Sequence, residues 1–227
     1  MTKPTITTDV VIRTMMKARL ARRHAADPDA FVVEELPIGR GDGRLDLAVI
    51  NGRIEGVEIK SCSDTLDRLP RQVRLYGEGA DLMTLVVSSR HLEQARTIGP
   101  DWWKIFEVKA GVRGGLTLRR VQTGWTNPDR TSSGYLRLLE RNELLSVLTR
   151  HGLDKGLRSA SWPVLADRAA EKLPLSTIAS EVRRQLKIRV LIEARFSRTA
   201  FGALATGGGT SSSTLLDGPL TAAPPAG

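Results

Sequence analysis

Leu45-Asp46-Leu47-Ala48-Val49-Ile50-Asn51-Gly52-Arg53-Ile54-Glu55-Gly56-Val57-Glu58-Ile59-Lys60 reads as a single β-hairpin that carries two carboxylates and a lysine. Residues 45–50 alternate and are apolar enough for a strand. Asn51-Gly52 is the strongest short hairpin signal a sequence offers, because both residues tolerate the backbone of tight turns. Residues 53–60 then return as a second strand. Two carboxylates held close together bind a hard divalent cation through oxygen, and a neighbouring ammonium group holds a water or balances charge on a phosphate.

The register decides whether these groups meet, since side chains alternate faces along a strand. A two-residue turn at Asn51-Gly52 pairs Ile50 with Arg53 and sets Asp46 opposite Val57, with Glu58 on the other face. Two devices shift the pairing by one residue. One is a three-residue loop, Ile50-Asn51-Gly52 with Gly52 left-handed; the other is a bulge at Gly56, a residue that strand interiors disfavour. Either gathers Asp46, Glu58 and Lys60 on one face and sends Leu45, Leu47, Val49, Val57 and Ile59 to the other. That second set is wholly apolar, as a buried face requires, so the shifted register is expected.

With these residues in place the chain resembles the PD-(D/E)XK nuclease superfamily, the fold of many restriction enzymes, junction resolvases and RecB-type nucleases. Asp46 matches the family's aspartate, Glu58 the acidic residue before the lysine, and Lys60 the lysine. Glu35 matches the glutamate often found near the first helix, with Glu34 its rival. Gln72 and Tyr76 match the Gln-x-x-x-Tyr helix of RecB-like members. The run from Glu58-Ile59-Lys60-Ser61 through Asp64, Arg68, Gln72 and Tyr76 resembles a bacterial, largely uncharacterised branch. Leu45 stands where the family usually has proline. The resemblance covers roughly residues 5–110. It implies a restriction-endonuclease-like core, Mg²⁺ or Mn²⁺ held by Asp46, Glu58 and the Ile59 carbonyl, and a Lys60 that orients water or stabilises the transition state. Glu35 would assist metal or water positioning.

Composition agrees with a polyanionic partner. The formal charge is +9, and clustered Lys and Arg release counterions from nucleic acid, DNA above all here. Ribosomal and membrane-surface proteins share that trait. Cys62 is the single cysteine, which excludes an internal disulfide framework and a Cys-rich zinc site. No apolar run has the length of a membrane span and the N-terminus lacks a signal peptide's apolar core, so a cytoplasmic protein is expected.

Along the chain, Thr8–Ala26 reads as a helix with Val11, Met15 and Ala18 on its apolar stripe. Residues 30–36 read as a strand, and Gly39-Arg40-Gly41-Asp42-Gly43 as a loop. After the hairpin, Pro70 opens a helix at its first turn, with Val73 continuing Leu66 and Leu69 toward the core. Strands at 82–87, 105–109 and 116–121 and a short helix at 91–98 complete an α/β arrangement, a central mixed sheet flanked by helices. This core is expected over 1–130. A basic helical region follows over 131–203, with helices at 136–151, 164–173 and 176–196. The tight Leu173-Pro174-Leu175 link resembles a helix-turn-helix whose second helix carries Arg183, Arg184, Lys187 and Arg189; a small bundle with a solvated basic helix is the plainer reading. Residues 204–227, rich in Gly, Ser, Thr, Pro and Ala, are expected to be a disordered tail.

Each candidate has an ordinary alternative. Glu58 with Lys60 can be a solvent-facing ion pair, contributing only ~0–1 kcal/mol. Gln72 and Tyr76, four apart, share a helix face with or without a site role. His91 reads as a helix-start residue rather than part of a site. Trp102 and Trp103 read as packing over a sheet rather than stacking on bases. Arg40, Arg44, Arg68 and Arg71 flank the proposed site and either contact phosphates or face solvent. The expectation is a metal-dependent nuclease acting on DNA. The alternatives are a catalytically silent nuclease-fold DNA-binding or assembly module, and a helix-turn-helix DNA binder.

Overall fold

A computed structural model of the chain describes residues 8–38, 41–111 and 115–206, with side chains as far as Ala194. In it the hairpin adopts a shifted register. Strand β2 (Gly43–Ile50) runs antiparallel to β3 (Ile54–Lys60), with Ile50 opposite Ile54, Ala48 opposite Gly56 and Leu47 opposite Val57. The three-residue loop is Asn51-Gly52-Arg53, one residue later than expected, which preserves the same parity. Gly52 is not left-handed. Asn51 closes the loop instead: its Oδ1 accepts from the Arg53 N–H at 3.1 Å, and its own N–H donates to the Arg53 carbonyl at 3.1 Å. Gly56 makes no bulge and sits in register. Its lack of a side chain serves packing, since a Cβ there would run into Met83 Sδ and lie 2.9 Å from Leu45 Cδ1.

Strand β1 (Phe31–Ile38) pairs antiparallel with β2. Midway along this pair both strands change faces. Leu47 and Val49 belong to the core under the first helix, whereas Leu45, Leu36 and Ile38 belong to the core on the opposite side of the sheet. Glu35 and Asp46 lie between the pairs Glu34–Leu47 and Leu36–Leu45, where the switch occurs. Glu35 has φ +56° and is the sole non-glycine residue with positive φ among the described residues, a conformation that costs an L-residue energy and tends to persist at functional sites. Leu45 therefore departs from expectation: it faces away from Leu47 and Val49, because the alternation breaks at Asp46.

The sheet continues as β4 (Leu82–Ser88), β5 (Lys104–Ala110) and β6 (Leu116–Gln122) in spatial order β1-β2-β3-β4-β5-β6. The β3–β4 and β4–β5 pairs are parallel and β5–β6 is antiparallel. Two successive crossovers that step the same way across a sheet fall on one face when both are right-handed. Accordingly α2 (Leu69–Gly77) and α3 (Leu92–Ile98) send Leu69, Tyr76, Leu92 and Ala95 into one core. The opposite face is covered by α1 (Asp9–Arg23), whose Ile12, Met16 and Leu20 pack on Leu47, Val49, Val57, Ile59 and Val86. The α1 stripe is thus offset from the expected one. Val11 and Ala18 are exposed and Met15 is half-buried, because Val10-Val11-Ile12 offers three stripes of equal helical spacing.

Beyond the sheet lie α4 (Ser132–Leu136), α5 (Arg141–Arg150), α6 (Trp162–Lys172) and α7 (Leu175–Thr206). The single helix expected over 136–151 is two, since Glu140 starts α5 afresh through a reciprocal capping box with Glu143, which satisfies N–H groups left open at a helix start. Tyr135, Leu144, Leu165, Ile178 and Leu186 share one core with Tyr76 and Trp103, so the helices from Ser132 close over the sheet. Among the described residues one compact unit ends at Val190 and a second begins at Leu191. The backbone of α7 reaches Thr206; the rest of the expected tail, residues 207–227, lies outside the described residues, as does Arg40. Among the described residues no helix is long and apolar enough to cross a membrane.

Candidate functional site

The face switch in β1 and β2 opens a cleft of about 720 Å³ between α1, the hairpin and α2. All six residues singled out from the sequence as catalytic, Glu35, Asp46, Glu58, Lys60, Gln72 and Tyr76, line it, as does Ile59. Glu58 and Lys60 are two apart on β3 and project to the same side. Lys60 Nζ donates to Glu58 Oε1 at 2.7 Å, and the two side chains are 3% and 5% exposed. That burial removes the solvent-facing ion pair from consideration. A buried ion pair is a weak stabiliser, because desolvating both charges offsets their attraction, so stability alone gives little reason for its presence.

Helix α2 brings the remaining polar groups. Pro70 lies in its first turn, as expected, and Gln72 and Tyr76 fall on one face four residues apart. Gln72 Nε2 donates to Glu58 Oε1 at 2.6 Å and to Tyr76 Oη at 3.1 Å. Tyr76 in turn donates to the Arg44 carbonyl at 2.8 Å. Glu58 Oε1 thus accepts from both Lys60 and Gln72, while Glu58 Oε2 and Gln72 Oε1 are buried with no partner. Unpaired buried acceptors are costly, and these two belong to residues that line the same cleft and could accept from a cation or a donor there. Burial pushes the Tyr76 hydroxyl far above its usual range, reinforced by the charge of Glu58, so Tyr76 stays a neutral donor.

Asp46 sits where β2 leaves β3. Its Oδ2 accepts from the Ile59 N–H at 2.6 Å and its Oδ1 from Arg13 Nη2 at 2.9 Å. Burial, followed by the charge of Glu58, pushes its carboxyl up to about 7, against the pull of the Ile59 hydrogen bond and of Arg13. Burial also raises Glu58, with Lys60 acting in the opposite direction. Both carboxylates therefore resist being charged together, which is the condition a divalent cation relieves.

The residues fit such an ion in donor chemistry. Among the described residues no group of three or more His, Cys, Asp or Glu is arranged to hold a metal. Two carboxylates and a carbonyl suit a hard ion that keeps several waters and completes its shell from a phosphate. The partnerless Glu58 Oε2 is the observation that favours the fit.

Glu35 bridges Arg13 and Arg44 at the cleft, whereas its rival Glu34 reaches outward to Lys17. Arg68 and Arg71 are exposed on the cleft rim, Arg71 lying 3.7 Å from Asp42. The four basic residues of α7 singled out from the sequence are engaged within the fold. Arg184 donates to Glu181 at 2.8 Å, Arg189 to Glu143 at 2.8 Å, Lys187 pairs with Asp29, and Arg183 lies 3.9 Å from Asp81. Such pairing leaves a helix-turn-helix reader few free cations. Trp102 and Trp103 are buried, and Trp103 stacks with Tyr76 at 6.4 Å, so both are packing residues. His91 is buried away from the cleft lining, its Nε2 without a partner.

Sequence reasoning missed Arg13 and Asp9, and gave Asp64 no role beyond its place in the resemblance. Asp9 and Arg13 do show i, i+4 spacing, but nothing in the sequence indicates that this edge of α1 reaches the hairpin. Asp64 accepts from the Ser61 N–H and hydroxyl at 2.7 and 2.6 Å and fixes the turn after Lys60.

Comparisons with known proteins bear on the whole chain. Protein cII of Enterobacteria phage P4 is 26% identical over 164 residues, covering 71% of this chain and 60% of that protein, so the chain spans about 60% of this relative's length. A solved structure, a protein of unknown function from Silicibacter pomeroyi, is 18% identical, covers 66% of this chain and 92% of its own, and aligns with a TM-score of 0.37, too low to carry an argument. Residues 9–200 match the family described as Bacteriophage P4 protein cII. This match begins with α1, takes in the entire sheet and runs into α7, and on it the chain belongs to the bacteriophage P4 protein cII family.

Proposed function

We propose that the chain is a divalent-metal-dependent nuclease that hydrolyses phosphodiester bonds in DNA. The observation that carries this reading is the convergence of Asp46, Glu58 and Lys60 in one cleft, with Glu58 Oε2 left without a partner. The resemblance to the PD-(D/E)XK superfamily, carried by these same residues and by Gln72 and Tyr76, accords with it. Asp46, Glu58 and the Ile59 carbonyl would hold Mg²⁺ or Mn²⁺, which when bound supplies Lewis-acid stabilisation of the phosphate and lowers the pKa of water. Gln72 and Lys60 both donate to Glu58 Oε1, which leaves Oε2 without a partner. Lys60 Nζ, a compact ammonium with three donors, then has hydrogens left to orient the attacking water or to neutralise the phosphorane oxygens. Glu35 positions water or metal from the opposite wall. Arg44, Arg68 and Arg71 on the rim offer phosphate contacts, and the net charge of +9 favours a polyanion. A cytoplasmic location accords with the single cysteine.

A second reading, a silent nuclease-fold module that binds DNA or assists assembly, is favoured by one observation: Arg13 already occupies Asp46 Oδ1. Calorimetric titration with Mn²⁺ separates the two. The nuclease reading expects saturable binding by the wild-type protein and its loss in Asp46→Asn; no binding by folded wild type would leave the silent module.

A further inference from the structure

Arg13 lies outside every sequence element that suggested the site, yet it is the most heavily engaged cation in the cleft. Its guanidinium donates to Asp46 Oδ1 at 2.9 Å, to the Asp46 carbonyl at 3.2 Å, to Asp9 Oδ2 at 3.2 Å and to Glu35. Three carboxylates from two elements of the sheet and one helix thus converge on one side chain, itself 17% exposed. Two of them, Glu35 and Asp46, sit at the face switch, where the backbone of Glu35 takes φ +56°. A strained backbone that aims a carboxylate at an arginine is costly unless the arrangement does something.

The geometry points to Arg13 as a built-in counter-ion that occupies the Asp46 side of the metal site and must be displaced for a divalent cation to bind. This rests on the metal-site reading above. A guanidinium presents one positive charge spread over a plane and satisfies carboxylate oxygens by hydrogen bonds. A divalent ion brings twice the charge to a point and can also reach Glu58 Oε2, which Arg13 does not contact. The two cations compete at Asp46, since a guanidinium 2.9 Å from Oδ1 and a divalent ion on the same carboxylate repel one another. Arg13 has a resting place during displacement, because Asp9 lies one helical turn away on α1 and already accepts from its Nε. Arg13 is in this account a positioning residue: it holds the like-charged Asp46 and Glu35 together before the metal arrives, and it sets the affinity for the ion that replaces it.

Removing the competitor should tighten binding. Arg13→Gln should lower the Mn²⁺ dissociation constant on the order of tenfold relative to wild type, in calorimetric titrations of the full chain. Arg13→Lys, which keeps a charge but loses the fork, should fall between them. A merely structural arginine predicts the reverse, weaker binding when the carboxylates lose their clamp. Equal affinities in wild type and Arg13→Gln would overturn this inference and leave the metal site standing. Absence of binding in both proteins would overturn the metal site itself. Should Arg13→Gln fail to fold by circular dichroism, Mg²⁺ titration of the ¹⁵N-labelled wild type gives the answer: the Arg13 Nε–H resonance is expected to shift with saturation, and a resonance that stays fixed while Mg²⁺ binds would overturn displacement.

Discussion

Asp46 concentrates the physical conflict of the site at the scale of one residue. Its carboxyl is buried beside Glu58 and titrates at about 7 rather than near 3.8. A raised carboxyl pKa means that the folded state holds the proton more tightly than the unfolded chain does. The metal-free protein therefore has its full stability below about pH 4 as far as this group is concerned, loses some of it as pH rises toward 7, and does not recover it above. Asp46→Asn keeps an acceptor for the Ile59 N–H while removing the charge. It should stabilise the metal-free protein at pH 8 by on the order of 2 kcal/mol, with the gain vanishing at pH 4. Urea denaturation at the two pH values checks this, and an Asn variant less stable at pH 8 would show that the Arg13 pair outweighs burial. The identities of Asp46, Glu58 and Lys60 were legible in the sequence because their spacing on a hairpin is a local matter. Arg13 was not, because its role depends on where α1 crosses the sheet, a tertiary fact.

Elements were legible to the extent that one side of each was uniquely apolar. The hairpin parity followed from Leu47, Val49, Val57 and Ile59, since the other parity would have split this apolar set between the two faces of the sheet. The position of the loop did not follow, because loops one residue apart with equal length give the same parity. The face switch was hidden: Leu45-Asp46-Leu47 is a faultless alternation on paper, and nothing marks Glu35 for a left-handed backbone. In α1 the run Val10-Val11-Ile12 left the buried stripe undetermined until the sheet chose it. Gly56 looked like a bulge, yet it is the place where Met83 and Leu45 close over β3. Gly56→Ala should accordingly overpack the sheet and destabilise it by about 1–3 kcal/mol, measured as a fall in the chemical denaturation midpoint. An unchanged midpoint would mean that these flexible side chains yield freely.

At the scale of the molecule, part of the basic charge read from the sequence is paired within the fold. Residues 135–198 hold thirteen Lys or Arg against seven Asp or Glu, but the basic residues of α7 singled out earlier are tied to acids of the fold. Three of these pairs tie α7 to other parts of the fold. Asp81 shows how: it accepts from the Ile54 N–H at 2.7 Å, Tyr135 Oη at 2.5 Å and Arg130 at 3.0 Å, joining β3, α4 and the segment before it. Tyr135→Phe should cost about 1.5–3 kcal/mol, the value of a buried hydrogen bond to a charged group, seen as a lowered Tm; an unshifted Tm would remove Asp81 as the fastening point. The central claim concerns chemistry in the cleft, and one assay tests it most directly. Purified wild type and an Asp46→Asn, Glu58→Gln double variant of verified fold are incubated with linear duplex, single-stranded and branched DNA in Mg²⁺ or Mn²⁺, and in EDTA. Cleavage of at least one substrate by the wild type alone, abolished by EDTA, is the predicted result. Cleavage by the double variant at the wild-type rate, or no cleavage of any substrate by a metal-saturated wild type, would contradict it.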